Sequence, residues 1–82
     1  MNTLTNLPIG ARATVLSVNG DNQITKRLME MGVVPGAPVR VIKSAPFGDP
    51  LEIRVRGYHL AMRKSEASRI EVQSLETEKN ER

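Results

Sequence analysis

Short segments rich in β-forming side chains, each ended by turn residues, run through most of this 82-residue chain. In one of them Leu51, Ile53 and Val55 alternate with polar residues, the pattern of a strand with one buried face. The predicted strands cover residues 13–18, 38–44, 51–56, 58–63 and about 70–72. Closure into a small barrel would remove the exposed edges of such short strands. The pattern therefore predicts a mainly β fold with one short helix, and it fits SH3-like and OB-like barrels equally.

The helix is predicted after the first strand. Asp21 or Asn22 can cap its N-terminus, and the helical pattern runs to about Met31. Ile24, Leu28 and Met31 recur at helical spacing and form one narrow apolar stripe, which we expect to face the core.

Glycine and proline mark the end of this helix and the turn that follows. Gly32 stands where a left-handed residue usually ends a helix, which would bring Leu28 and Val33 into contact. Pro35 and Gly36 then predict a type II turn, because proline fixes one φ angle and glycine supplies the positive one.

Composition limits what can hold the fold together. The chain has no cysteine and only 2% aromatic residues, so the core must be aliphatic. No apolar run approaches the ~20 residues of a membrane span, and no secretory signal is visible, so we expect a cytoplasmic protein. We predict one domain over residues 1–73 and a polar, frayed tail over 74–82.

Three motifs, in the same order, resemble those of the FeoA family, the small companions of the bacterial ferrous iron transporter FeoB. They are KRLMEMGVVPG at 26–36, APFGDPL at 45–51 and LAMRK at 60–64. The resemblance extends from about residue 4 to 72. The signature positions that we assign to structure are Leu28, Gly32, Pro35, Gly36, Gly48, Asp49 and Pro50.

The resemblance implies an SH3-like barrel and a non-enzymatic accessory role in ferrous iron uptake. The implied partner is the cytosolic, nucleotide-binding region of a FeoB-type transporter, so that any membrane contact is made through the transporter. The same domain type occurs in iron-dependent repressors, but this chain shows no helix-turn-helix portion, which argues against its being the repressor itself.

Catalysis and metal binding find little support in the residues. The chain has one histidine, His59, no cysteine, and no glycine-rich loop of the kind that cradles phosphates. A ferrous site needs clustered histidine and carboxylate ligands. We therefore predict no enzymatic activity, no cofactor and no metal site, and we interpret His59 as a strand residue that is exposed or hydrogen-bonded locally.

Nucleic-acid binding is the alternative function. The net charge is +3, and Arg40, Arg54 and Arg56 have outward parity on adjacent predicted strands. We expect Arg63 and Lys64 to lie near them, so the chain could be a small basic barrel that follows phosphates. Glu52, which interrupts the row, and the scarcity of aromatic side chains for base stacking favour a solvated face instead, and we expect no nucleic acid.

Protein recognition remains, and two segments are candidates for it. Met29 lies about 140° around the helix from Ile24, away from the core stripe, and a flexible exposed methionine suits a contact surface. Arg27 and Val34 flank it where the family signature is densest. Phe47 lies in a turn and either packs over the barrel mouth or anchors an interface.

Overall fold

A computed structural model describes residues 2–20 and 22–75 of the chain. The β-strands are β1 Asn2–Thr3, β2 Arg12–Val18, β3 Pro38–Ser44, β4 Leu51–Val55, β5 Tyr58–Met62 and β6 Ile70–Ser74. The α-helices are α1 Asn22–Glu30 and α2 Lys64–Ala67, and short 3-10 turns cover Leu4–Asn6 and Pro46–Gly48. Among these residues no helix is both long and apolar enough to reach across a lipid bilayer.

The strands form one six-stranded antiparallel sheet in the order β1-β6-β2-β3-β4-β5. The mainly β prediction is confirmed, and the five strands predicted from the sequence all form. The pattern did not predict β1, which has only two residues, Asn2 and Thr3, and pairs with β6. In this order β1 and β5 are the edges, and α2, which follows β5, contacts the 3-10 turn that follows β1.

The core is aliphatic, as composition predicted. Strand β4 shows the expected alternation, because Leu51, Ile53 and Val55 are buried whereas Arg54 is exposed. Leu4, at the N-terminal end of the chain, is also fully buried. The largest fully buried side chains are Leu4, Leu28, Ile53, Ile70, Val15, Val33, Val41 and Val55.

Helix α1 ends as the sequence predicts. The amide of Val33 donates to the carbonyl of Leu28 at 3.0 Å, and the amide of Gly32 donates to that of Met29 at 3.0 Å. These two bonds define a Schellman ending, with Gly32 at φ 98°. The side chains of Leu28 and Val33 are both buried in the core. The turn that follows is also confirmed, with the Ala37 amide donating to the Val34 carbonyl at 2.9 Å.

Gly32 has a second reason to be glycine. A Cβ atom at this position would lie 2.9 Å from Cδ of Arg56, whose side chain crosses the end of the helix. Gly36 has a similar φ of 91° but open space around it.

We expect Gly32→Ala to lower the free energy of unfolding by about 1 kcal/mol, because alanine is strained at positive φ. Gly36→Ala is the matched control, because alanine is strained there too but displaces no neighbour. Thermal melts of the two variants therefore separate the effect of backbone strain from the effect of displacing Arg56. A Gly32→Ala protein as stable as the parent would show that the left-handed ending is not required.

The turn between β4 and β5 corrects one prediction. Arg56 was predicted to continue strand β4, but it has φ 52° and, with Gly57 at φ 86°, forms the tight connection of a hairpin. Two successive positive φ angles are typical of a type I′ turn, whose twist matches that of the flanking strands. The hydroxyl of Tyr58 donates to the carbonyl of Met31. The β4–β5 turn is therefore attached to the C-terminal end of α1.

The predicted tail overlaps the end of the sheet. Ser74 is the last residue of β6, and the amide of Leu75 donates to the carbonyl of Arg12 at 2.9 Å. The remainder of the predicted tail, residues 76–82, lies outside the described residues.

Candidate functional site

The exposed side of helix α1 carries an apolar hollow. Met29 is 41% exposed, which confirms that it points away from the core. Together with Val34, in the loop after the helix, it lines an open hollow of about 600 Å³. Thr25, Lys26 and Glu30 complete the lining. We call these five residues the α1 hollow. The structure thus brings together two of the residues that the sequence singled out for partner binding, Met29 and Val34.

Arg27 lies elsewhere. It is two positions before Met29, which places it about 200° away around the helix. Its guanidinium donates to the carboxylate of Glu66 in α2. Glu66 is buried, at 8% exposure, whereas the Arg27 side chain remains 55% exposed. The ion pair links the two helices, so folding accounts for Arg27 without a partner.

Sequence reasoning gave Glu66 no role. Its other oxygen, Oε1, accepts the backbone amide of Arg63 at 3.0 Å, so this carboxylate also caps the short helix α2. A buried carboxylate is stable only when it is paired or hydrogen-bonded, and Glu66 is both. Nothing in the local sequence separates it from an exposed surface glutamate, because its partner Arg27 is 39 residues away.

Phe47 is 95% exposed. Of the two possibilities left open by the sequence, packing over the barrel mouth is therefore wrong. Its backbone has φ 67° and ψ 14°, a left-handed conformation that a bulky side chain rarely adopts. This conformation costs roughly 1–2 kcal/mol, and the side chain recovers little of it through packing.

The loop that presents Phe47 is closed by backbone bonds. The Ala45 amide donates to the Pro50 carbonyl at 2.9 Å, and the Gly48 amide donates to the Ala45 carbonyl at 2.9 Å. Asp49 Oδ1 accepts the amide of Lys64 at 3.1 Å, which fastens the loop to α2. Gly48, Asp49 and Pro50 therefore each take part in the hydrogen bonds of this loop.

His59 is held locally, as predicted. Its Nδ1 lies 2.9 Å from Oε2 of Glu52 on the neighbouring strand. The other carboxylate oxygen of Glu52, Oε1, lies 3.9 Å from Nζ of Lys43. Across residues 2–20 and 22–75, no three histidine or carboxylate side chains are grouped closely enough to hold a metal ion.

The arginines form a row that the sequence only partly indicated. Arg40 pairs with Arg54 across β3 and β4, and Arg12 pairs with Arg40 across β2 and β3. Arg12 was missed because the predicted first strand began one residue later. Arg63 and Lys64 were expected nearby, but they follow Met62, at the opposite end of the β4–β5 hairpin from Arg54.

The family comparison decides what kind of protein this is. The family model described as the FeoA domain matches residues 2–74. This chain belongs to the FeoA family. A curated fusion protein of Porphyromonas gingivalis, named for Fe(2+) transport protein A and the Fe(2+) transporter FeoB, is 36% identical over 70 residues. That match covers 85% of this FeoA chain and 8% of the fusion protein.

Solved structures of FeoA proteins share the fold. The Chlorobium tepidum FeoA structure superposes with a TM-score of 0.87 and 40% identity, over 95% of this chain and 74% of that one. The Stenotrophomonas maltophilia FeoA is described as an SH3 domain protein complexed with zinc. It superposes with a TM-score of 0.79 and 38% identity, over 89% of this chain and 91% of that one. The SH3-like alternative is thereby confirmed over the OB-like one.

A manganese-dependent transcriptional repressor also matches, with a TM-score of 0.82 over 90% of this chain and 41% of that one. Its identity to this FeoA chain is 20%, so the likeness concerns the fold alone.

Proposed function

We propose that this chain is a non-enzymatic accessory protein of ferrous iron uptake, which docks on a FeoB-type transporter and modulates it. The observation that carries the proposal is the fusion protein of Porphyromonas gingivalis, in which the FeoA and FeoB parts share one polypeptide. A covalent link gives two parts a high effective concentration. Without such a link, docking needs a contact surface on the FeoA fold itself.

The α1 hollow and Phe47 are the proposed contact residues. Met29 supplies apolar surface that the fold itself leaves exposed, half-buried Val34 extends it, and Lys26 and Glu30 give the hollow a polar rim. An apolar centre with a polar rim is the usual anatomy of a protein interface. Phe47 adds an exposed aromatic anchor on a loop that is already shaped by hydrogen bonds, so that little entropy would be lost on docking.

Arg27 takes a supporting part in this proposal. Its ion pair with Glu66 connects α1 to α2, and α2 is fastened to the Phe47 loop through Asp49 and Lys64. These two contacts link helix α1 to the Phe47 loop through α2.

Docking would modulate the transporter only through unequal binding. A partner that binds every conformation of the transporter equally shifts no population. We propose that the chain acts from the cytoplasm on the cytosolic, nucleotide-binding region of the transporter, and that it favours one of its conformations.

We expect Met29→Glu to weaken docking by about tenfold or more, because a carboxylate would have to lose its water in an apolar contact. Stability should change by less than about 1 kcal/mol, since the position is exposed. The measurements are thermal melts, pull-down with the transporter of the same organism, and complementation of ferrous iron uptake in a strain lacking this protein.

Leu16→Glu is the matched control, since Leu16 is an exposed leucine on β2 outside the α1 hollow. We expect it to dock normally. A Met29→Glu protein that melts, docks and complements like the parent would show that the α1 hollow is not the interface. Phe47→Ala, tested in parallel, then decides whether the loop alone makes the contact. Normal docking by both variants would overturn the proposed contact residues.

A further inference from the structure

The arginine row opens onto a cleft that the proposed docking surface does not include. Arg12, Arg40 and Arg54 come from three adjacent strands, and Arg56 joins them from the β4–β5 turn. The four side chains border a cleft of about 290 Å³, which we call the arginine cleft. Pro38 and Leu75, which are both exposed, supply apolar surface within it.

Folding does not account for these charges. All four arginines are exposed, and none of the ion pairs among the described residues includes any of them. Like charges directly opposite each other on paired strands destabilise a sheet. Arg40 faces an arginine on both sides, so the row raises the free energy of the folded chain until an anion neutralises it.

The spacing of the row indicates which anion fits. Neighbouring strands lie about 4.8 Å apart, so successive arginines of the row are separated by about that distance at the backbone. Residues one turn apart on an α-helix have Cβ atoms about 5–6 Å apart. A helix that crosses the three strands can therefore place one carboxylate on each of Arg12, Arg40 and Arg54. The planar guanidinium is suited to bind each carboxylate through two parallel hydrogen bonds.

The lining disfavours other polyanions. Single-stranded nucleic acid is usually held by aromatic side chains on which bases stack, and none of the described residues that line the cleft is aromatic. The arginines also border a concave surface, which a flat lipid bilayer would meet poorly. Apolar residues between the charges suit the mixed surface of a protein helix.

We propose that the arginine cleft docks an acidic α-helix of a protein partner, whose carboxylates are spaced one turn apart and lie along Arg12, Arg40 and Arg54. This contact is independent of the proposed function, because it uses a different surface and does not depend on the transporter. Its failure would leave the α1 hollow unaffected.

The test uses the full chain and a synthetic alanine-based helical peptide of about 20 residues, long enough to be helical in water. The peptide carries glutamate at three positions spaced four apart, and a matched peptide carries glutamine there. Fluorescence anisotropy of the labelled peptides measures binding. We expect the glutamate peptide to bind about tenfold more tightly or better, with an affinity that falls as salt is raised.

Arg12→Gln/Arg40→Gln/Arg54→Gln should weaken binding of the glutamate peptide by about tenfold or more. Because this triple variant removes repulsion between paired strands, its melting temperature should be at least as high as that of the parent. The control Lys26→Gln/Arg63→Gln/Lys64→Gln removes the same number of charges elsewhere and should bind within about twofold of the parent. Met29→Glu should also bind the peptide normally.

Two outcomes would overturn the proposal. Equal losses in the two triple variants would mean that net charge alone attracts the peptide. An oligonucleotide, or vesicles containing phosphatidylglycerol, that bound more tightly than the peptide through the same three arginines would make the occupant a nucleic acid or a membrane.

Discussion

Leu28→Ala is expected to lower the free energy of unfolding by ~2–5 kcal/mol. Leu28 is 1% exposed and belongs to the core cluster of the sheet. Truncation removes apolar contact and leaves a cavity that rigid neighbouring strands can fill only in part. Helix α1 has a single fully buried large side chain within its described residues, so the loss also weakens the attachment of the helix.

Met29→Ala is the control one position further along the helix. It replaces an exposed side chain by a good helix former, so stability should change by less than about 0.5 kcal/mol. Chemical denaturation of the two variants gives both values. A Leu28→Ala protein within about 1 kcal/mol of the parent would mean that α1 is not packed on the core as described.

Arg27→Ala should have the second largest effect on stability and lower the free energy of unfolding by about 1–3 kcal/mol. The substitution leaves the buried carboxylate of Glu66 without its cation, although the amide of Arg63 still donates to it. The expected loss is smaller than for a fully buried ion pair because water reaches the exposed side of Arg27. Arg27→Lys should recover part of the stability, since it restores charge but not the planar guanidinium.

Lys26→Ala is the matched control for Arg27→Ala, because it removes a neighbouring positive charge that takes part in none of the ion pairs among the described residues. Lys26→Ala should change the free energy of unfolding by less than about 0.5 kcal/mol. If Arg27→Ala melts like Lys26→Ala, the ion pair with Glu66 does not stabilise the fold. Arg27 would then be free to contact a partner directly.

The two candidate surfaces differ in how they could be found. Met29 was predictable, because a helical period of 3.6 residues separates the side chains that face the core from those that do not. The arginine cleft was only partly predictable, because parity along a strand gives the face of a residue but not its neighbour on the next strand. Arg12 joined Arg40 only once the register of β2 and β3 was known.

The sequence by itself determined the local features of this protein, and it also indicated the family to which the protein belongs. The aliphatic core follows from composition, and the alternation in β4, the glycine ending of α1 and the turn at Pro35 and Gly36 each depend on residues a few positions apart. For such features the backbone preferences of glycine, proline and alternating side chains are sufficient. The motifs that indicated the FeoA family are contiguous for the same reason.

Only the tertiary structure decided which distant residues meet. In the folded chain Arg27 pairs with Glu66, and Phe47 remains exposed. Arg56 lies in the turn after β4, and its side chain approaches Gly32. Each of these depends on how separate elements pack. The free energy of burying a carboxylate or exposing an aromatic ring is set by neighbours that the chain brings together only when it folds.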